Sequence, residues 1–205
     1  MKLRRQHSTP DSSMSSDRFL IVGLGNPGKQ YAHTRHNVGQ DAIELLSSRL
    51  MSPLKKAKQR ALISETRING TPVVLAVPTT YMNDSGDAVG PLVRHFKIAD
   101  LARVIIVHDE LDLDPGVVRV KFGGGLAGHN GLRSISQHLK SDDYVRIRIG
   151  VGKPRSKEHG ADHVLNKLPA AERKVLDVAI ETAIDAINLV VSDGLAHAMQ
   201  RVNAK

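Results

Sequence analysis

Two periods organise the apolar positions of this chain. "RFLIV" from Arg18, "RVIIV" from Arg103 and "GVVRVKF" from Gly116 are short β-rich runs of strand length. "YVRIRIGV" alternates Arg146 and Arg148 with Val145, Ile147 and Ile149, the period of a strand with one polar face. "ALISETRI" and "TPVVLAV" flank Asn69-Gly70, a two-residue hairpin signal, so part of the sheet is expected to be antiparallel. The other period is helical. In "NVGQDAIELLSSRL", Val38, Ala42, Leu45, Leu46 and Leu50 share one side while Asp41, Glu44 and Ser48 face the other. A second helix is predicted from Asp84 to Phe96, with Pro91 as an irregularity, and a third begins near His129 after the glycine loop Gly123 to Gly125. Leu176, Ile180, Ala183, Ile187 and Val190 form the stripe of a long helix whose first turn suits Pro169. Asp193 is placed to cap a last short helix carrying Leu195, Met199 and Val202. Strand and helix patterns alternate without a repeat or a domain-splitting linker. The expectation is a single α/β domain: a twisted, mixed, mostly parallel central sheet with helices on both faces.

Composition narrows the picture. A chain of 205 residues suits one domain that buries roughly 70% of its unfolded surface. Residues 1–17 are polar and Ser-rich, with no apolar core of a signal peptide, so a disordered extension over 1–17 and a folded domain over 18–205 are expected. No apolar run approaches the ~20 residues of a membrane span, so no membrane association is expected. The absence of cysteine excludes disulfides, thiolate zinc sites and a cysteine nucleophile, and fits a cytoplasmic protein. The net charge of +8 points to a polyanionic partner, nucleic acid before anionic membrane. Aromatic residues make up only 3%, so phosphate contacts rather than base stacking should carry RNA binding.

The candidate chemistry lies at the loop junctions. Gly23 to Gly28 spells G-x-G-x-x-G, but Pro27 interrupts it and "KQYAHTR" delays the helix that a pyrophosphate would need. "GGGLAGHNG" lacks the Lys and Ser/Thr of a Walker motif; it is either a nest of backbone N–H groups for an anion or a flexible connection. His36 stands at a loop-to-helix boundary, and Asp109 at the C-terminal end of a buried strand. A histidine held by a carboxylate is the minimal general-base unit, although such a pair in isolation is more often structural. G-x-S-x-G is absent, so water is the expected nucleophile. His108, Asp109 and Glu110 cannot all converge on a metal, because neighbours on a strand alternate faces. Asn26, Asn37, Asn83 and Asn130 sit at element junctions, where an amide can bind a substrate amide or an oxyanion, or simply cap a turn.

"GLGNPGKQYAHTRHNVG", "PTTYMNDSG", "HDELDLDPG", "GGGLAGHNGLRSI" and "RIRIGVGKP" occur in order between Gly23 and Pro154. Together they resemble the successive signatures of bacterial-type peptidyl-tRNA hydrolases. The resemblance implies a monomer, with no metal, no organic cofactor and no obligatory protein partner, that hydrolyses the ester joining a peptide to the terminal ribose of tRNA. It puts the catalytic histidine at His36, its orienting aspartate at Asp109, and the substrate-contacting amides at Asn26, Asn83 and Asn130. Tyr31 and Met82 match residues along the peptide and terminal-nucleotide cleft. Lys121 and Arg148 match a basic pair that takes the tRNA 5′-phosphate; without the resemblance they read as a solvated strand face. Leu126, Ala127 and Tyr81 depart mildly from the family pattern and remove no functional group. The alternative is a non-catalytic structured-RNA-binding protein on the same scaffold.

Overall fold

The computed structural model describes residues 17–154 and 160–204, so the polar extension lies outside it up to residue 16. β1 (Phe19–Gly23) passes through two 3-10 turns, Lys29–Tyr31 and Arg35–Asn37, into α1 (Val38–Arg49). β2 (Lys55–Ala57), β3 (Ala61–Ile68) and β4 (Thr71–Pro78) follow. The β3–β4 hairpin closes through Asn69 and Gly70, at φ 47° and 84°, the left-handed pair that a two-residue turn requires. A 3-10 turn, Met82–Asp84, precedes α2 (Gly86–His95). Then come β5 (Val104–Glu110), β6 (Val118–Phe122), α3 (Asn130–Leu139), β7 (Val145–Gly150), α4 (Gly160–Leu165), α5 (Ala170–Asp193) and α6 (Leu195–Asn203).

The seven strands lie in the order β2-β3-β4-β1-β5-β7-β6. The four central strands β4, β1, β5 and β7 are mutually parallel, while β3 and β6 run antiparallel to the neighbours that flank this core. Alternation along the strands feeds two cores. Ile21, Leu75, Ile105, Val107 and Ile147 pack against α1, α5 and α6, and the predicted α5 stripe is wholly buried there. Leu20, Val22, Val74 and Ile106 pack on the other side against Leu92 of α2 and Leu132 and Ile135 of α3. Both sheet edges are guarded. β2 carries exposed Lys55 and Lys56, and the Asn203 side chain pairs with both the N–H (2.8 Å) and the C=O (2.9 Å) of Val120 on β6.

Local departures from expectation have local causes. Residues 82–84 form their own 3-10 turn, so α2 begins at Gly86 rather than at Asp84, and Pro91 lies within it at the cost of one backbone bond. Asp193 ends α5 and caps nothing; Gly194, at φ 88°, makes the break before α6. Among the described residues no helix is long and apolar enough to cross a membrane.

Candidate active site

The loops after β1 and β5, the turn after β4 and the start of α3 converge beyond the C-terminal ends of the parallel strands, where open α/β sheets place ligands. Two glycines set the spacing. A Cβ on Gly39 would meet the Val107 carbonyl oxygen at 2.1 Å, and one on Gly23 would meet the Gly39 oxygen at 2.2 Å. The start of α1 therefore lies backbone to backbone against β1 and β5. The Leu24 N–H reaches Val107 O (3.0 Å) and the Gln40 N–H reaches Leu24 O (2.9 Å), stitching the three segments together. His36 precedes that contact by three residues and Asp109 follows it by two, so the pair is brought together.

Asp109 is only 3% exposed and stands among three imidazoles. His36 Nδ1 lies 2.9 and 3.0 Å from its two carboxylate oxygens. A carboxylate only accepts, so Nδ1 carries the proton and the lone pair of His36 sits on Nε2. His129 Nε2 donates to Asp109 Oδ1 at 3.0 Å, while its Nδ1 accepts the Leu132 N–H at 3.3 Å as the N-cap of α3. His108 Nδ1 donates to the main-chain oxygen of Asp109 at 2.6 Å. The rings of His36 and His108 lie 5.2 and 4.9 Å from that of His129. Burial opposes charge on His36, but attraction and hydrogen bonding to Asp109 outweigh it and raise its pKa above 6.5. Burial likewise opposes the Asp109 carboxylate, yet His36 and His129 hold it well below the usual range. Complete burial, reinforced by His129, lowers the pKa of His108 to about 3.

Ligand atoms of His36, Asp109 and His129 lie within 4.8 Å of one another, a grouping that the sequence did not suggest for a metal. Both nitrogens that face the carboxylate are hydrogen-bond donors in this arrangement, so their lone pairs do not converge on a common ion. The same residues line a cavity of about 210 Å³, with Glu110, Leu111, Ala127, Gly128, Asn130 and, from α4, Val164. Arg35 steadies α4 from beneath: it donates to His163 O at 2.8 Å and is paired with Glu172 of α5. A larger hollow of about 960 Å³ between α5 and α6 lacks such convergence of titratable groups on a buried carboxylate.

The amides divide into two kinds. Asn26 is 7% exposed, and its Oδ1 accepts the Met82 N–H at 2.8 Å. Its backbone N–H and C=O pair with the Asn37 side chain, each at 2.9 Å, so these two residues clip the loop together. Asn83 and Asn130 are exposed and line a second, polar hollow of about 200 Å³ with Arg133, Ser134 and Gln137. Asn130 borders both spaces. Met82 lies in the core at 2% exposure, turned towards Gly131 rather than lining either hollow. Tyr31, half-buried at the end of the first 3-10 turn, lines neither space.

Lys121 and Arg148 lie on one face of the β6–β7 pair, because Lys121 faces Arg146 and Arg119 faces Arg148. Arg148 Nε donates to Glu110 Oε2 at 2.9 Å, whereas Lys121 makes no ion pair among the described residues. Arg146 on the same face is not solvated at all. At 2% exposure it donates to the carbonyls of Gly125 (2.8 Å) and Gly124 (2.5 Å), pinning the glycine loop from below. Sequence reasoning named Asn37 with the other junction amides but gave no site role to His129 or to Arg146; only the N-cap position of His129, between the glycines and Asn130, signalled one of them.

Comparison with known proteins bears on this site. The family model described as Peptidyl-tRNA hydrolase matches residues 20–205. Peptidyl-tRNA hydrolase of Rhodococcus erythropolis is 48% identical over 191 residues, covering 93% of this chain and 100% of that protein. That of Mycolicibacterium vanbaalenii is 47% identical over 190 residues, covering 92% and 98%. The crystal structure of peptidyl-tRNA hydrolase from Acinetobacter baumannii superposes with a TM-score of 0.87 at 44% identity, covering 94% of this chain and 97% of that one.

Proposed function

The chain belongs to the peptidyl-tRNA hydrolase family, and on that premise we propose that the Asp109 cleft is where it hydrolyses peptidyl-tRNA. One observation carries this reading: His36, which lines the cavity, hydrogen-bonds a buried carboxylate through its Nδ1–H, which leaves its Nε2 lone pair free to act as a base. Nε2 takes a proton from water as that water attacks the ester carbonyl carbon, and Asp109 stabilises the imidazolium that forms. The same proton then goes to the ribose oxygen as the C–O bond breaks, leaving a free peptide and tRNA. Asn130, at the N-terminus of α3, orients the water or stabilises the oxyanion.

Asn83 and the Asn26 amide nitrogen hold the peptide's amide groups. That contact rejects aminoacyl-tRNA, which lacks the peptide bond and would leave those groups unpaired. Lys121 and Arg148 take a tRNA phosphate, positioning the substrate without reading bases. The enzyme acts as a monomer in the cytoplasm, where translation produces its substrate, and needs neither cofactor nor protein partner. Hydrolysis of N-acylated aminoacyl-tRNA, beside unblocked aminoacyl-tRNA, tests the reading. His36→Ala should lose turnover by on the order of 10⁴-fold while retaining tRNA binding. Retained turnover would remove His36 as the base, and tRNA binding without hydrolysis by the unaltered protein would favour a purely RNA-binding role.

A further inference from the structure

The second imidazole on Asp109 is not used by that mechanism, and its geometry is specific. Its Nδ1 accepts the Leu132 N–H, so it is unprotonated there; the remaining proton sits on Nε2 and faces Asp109 Oδ1. Oδ1 is also the oxygen nearest to His36 Nδ1. One carboxylate oxygen thus receives two imidazole N–H groups. We propose that His129 is a positioning residue for hydrolysis: it shares the Asp109 carboxylate with His36 and so limits how strongly that carboxylate holds the proton of the catalytic imidazole. This rests on His36 acting as the base.

A base held too tightly by its carboxylate stays protonated and cannot accept from water. Asp109 alone, in so buried a place, would drive His36 in that direction. A second donor draws off part of the carboxylate's charge and fixes the rotation of the carboxyl group. The helix terminus supplies the lock, because the Leu132 N–H selects which tautomer His129 adopts. Other charged and titratable groups around the pair are engaged elsewhere. His108 bonds to the Asp109 main chain, Glu110 is paired with Arg148 of β7, Arg35 with Glu172 of α5, and His163 of α4 is directed at the Val151 and Gly152 carbonyls.

Two substitutions separate the two nitrogens of His129. His129→Asn keeps an acceptor at the Nδ1 position, a good N-cap, but cannot reach Asp109. His129→Gln places an N–H near the Nε2 position and gives up the cap. The acid limb of kcat/KM for N-acylated aminoacyl-tRNA should move up by about half to one pH unit in His129→Asn with little change in Tm. In His129→Gln it should stay near the wild-type position while Tm falls. A ¹⁵N–¹H imidazole spectrum of the full chain should find the His129 proton on Nε2 and the His36 proton on Nδ1. A limb that is present but unmoved in His129→Asn, or a proton on His129 Nδ1, overturns the proposal alone. A wild-type profile with no acid limb overturns the general-base reading of His36 and this proposal with it.

Discussion

Two charged regions adjoin on β5, β6 and β7, and they are built on opposite terms. Around Asp109 one negative charge is enclosed by three imidazoles, each of which directs an N–H at an oxygen of that residue. On β6 and β7 positive charges gather on one face, and their environments diverge within two residues. Arg146 is sealed beneath the glycine loop and over the Tyr144 ring, while Arg148 is partly open and bonded to Glu110. The first region fixes a proton's position; the second leaves Lys121 available to a mobile polyanion. Enclosure, rather than charge, decides which task a group can perform.

Asp109→Asn should break the first region most deeply. The amide cannot stabilise an imidazolium and can stabilise the wrong tautomer, so kcat should fall by about 10³- to 10⁴-fold. The pH profile carries the sign. On the proposed mechanism His36 acts as a neutral base, so its raised pKa should put the acid limb of kcat/KM above 6.5, with activity lost as pH falls through it. In Asp109→Asn only the opposing effect of burial remains, so the residual limb should lie below 6.5. A residual limb still above that value would mean that another group titrates.

Arg146→Met tests whether the buried arginine holds the loop or merely fills space. It leaves the Gly124 and Gly125 carbonyls without their donor, and should cost about 2–3 kcal/mol in urea unfolding. An unchanged midpoint would show that water replaces the guanidinium freely. The smallest effect is expected from Lys121→Ala. KM should rise about 3- to 10-fold and the salt slope of kcat/KM should shrink by about one, with kcat unchanged. Arg148→Ala should exceed it and also lower kcat, because it strands the buried Glu110 carboxylate at the cavity wall. Equal effects of the two substitutions would erase the distinction between an open and a tethered cation.

The hydrophobic periods made most of this fold legible. The α5 stripe, the Asn69-Gly70 hairpin and the buried β5 strand followed from spacing alone, because each rests on neighbours within a few residues. Depth was not legible in the same way. The alternation of β7 puts Arg146 and Arg148 on one face, but only the glycine loop folding over it determines that one of them is buried. The short β2 and α4 carry no apolar pattern of their own and are specified by what they pack against. His36 and Asp109 stood out because a loop boundary and a strand terminus are open positions. His129 hid as a helix cap, since it serves its local role and its distant one at once, and Asn37 was visible as a junction amide but not as the clip on Asn26. Met82 shows the reverse: the motif directed it towards the cleft, and packing takes its side chain into the core.

The bare contact between Gly39 and Val107 has one more consequence. Between most packed elements a side chain acts as a shim, and its rotamers can absorb a small misfit. Here there is none, so the separation of the two backbones that carry His36 and Asp109 is set by peptide geometry and van der Waals radii. Such a joint has almost no play. A single added methyl group at Gly39 would wedge the two halves of the cleft apart without touching His36 or Asp109.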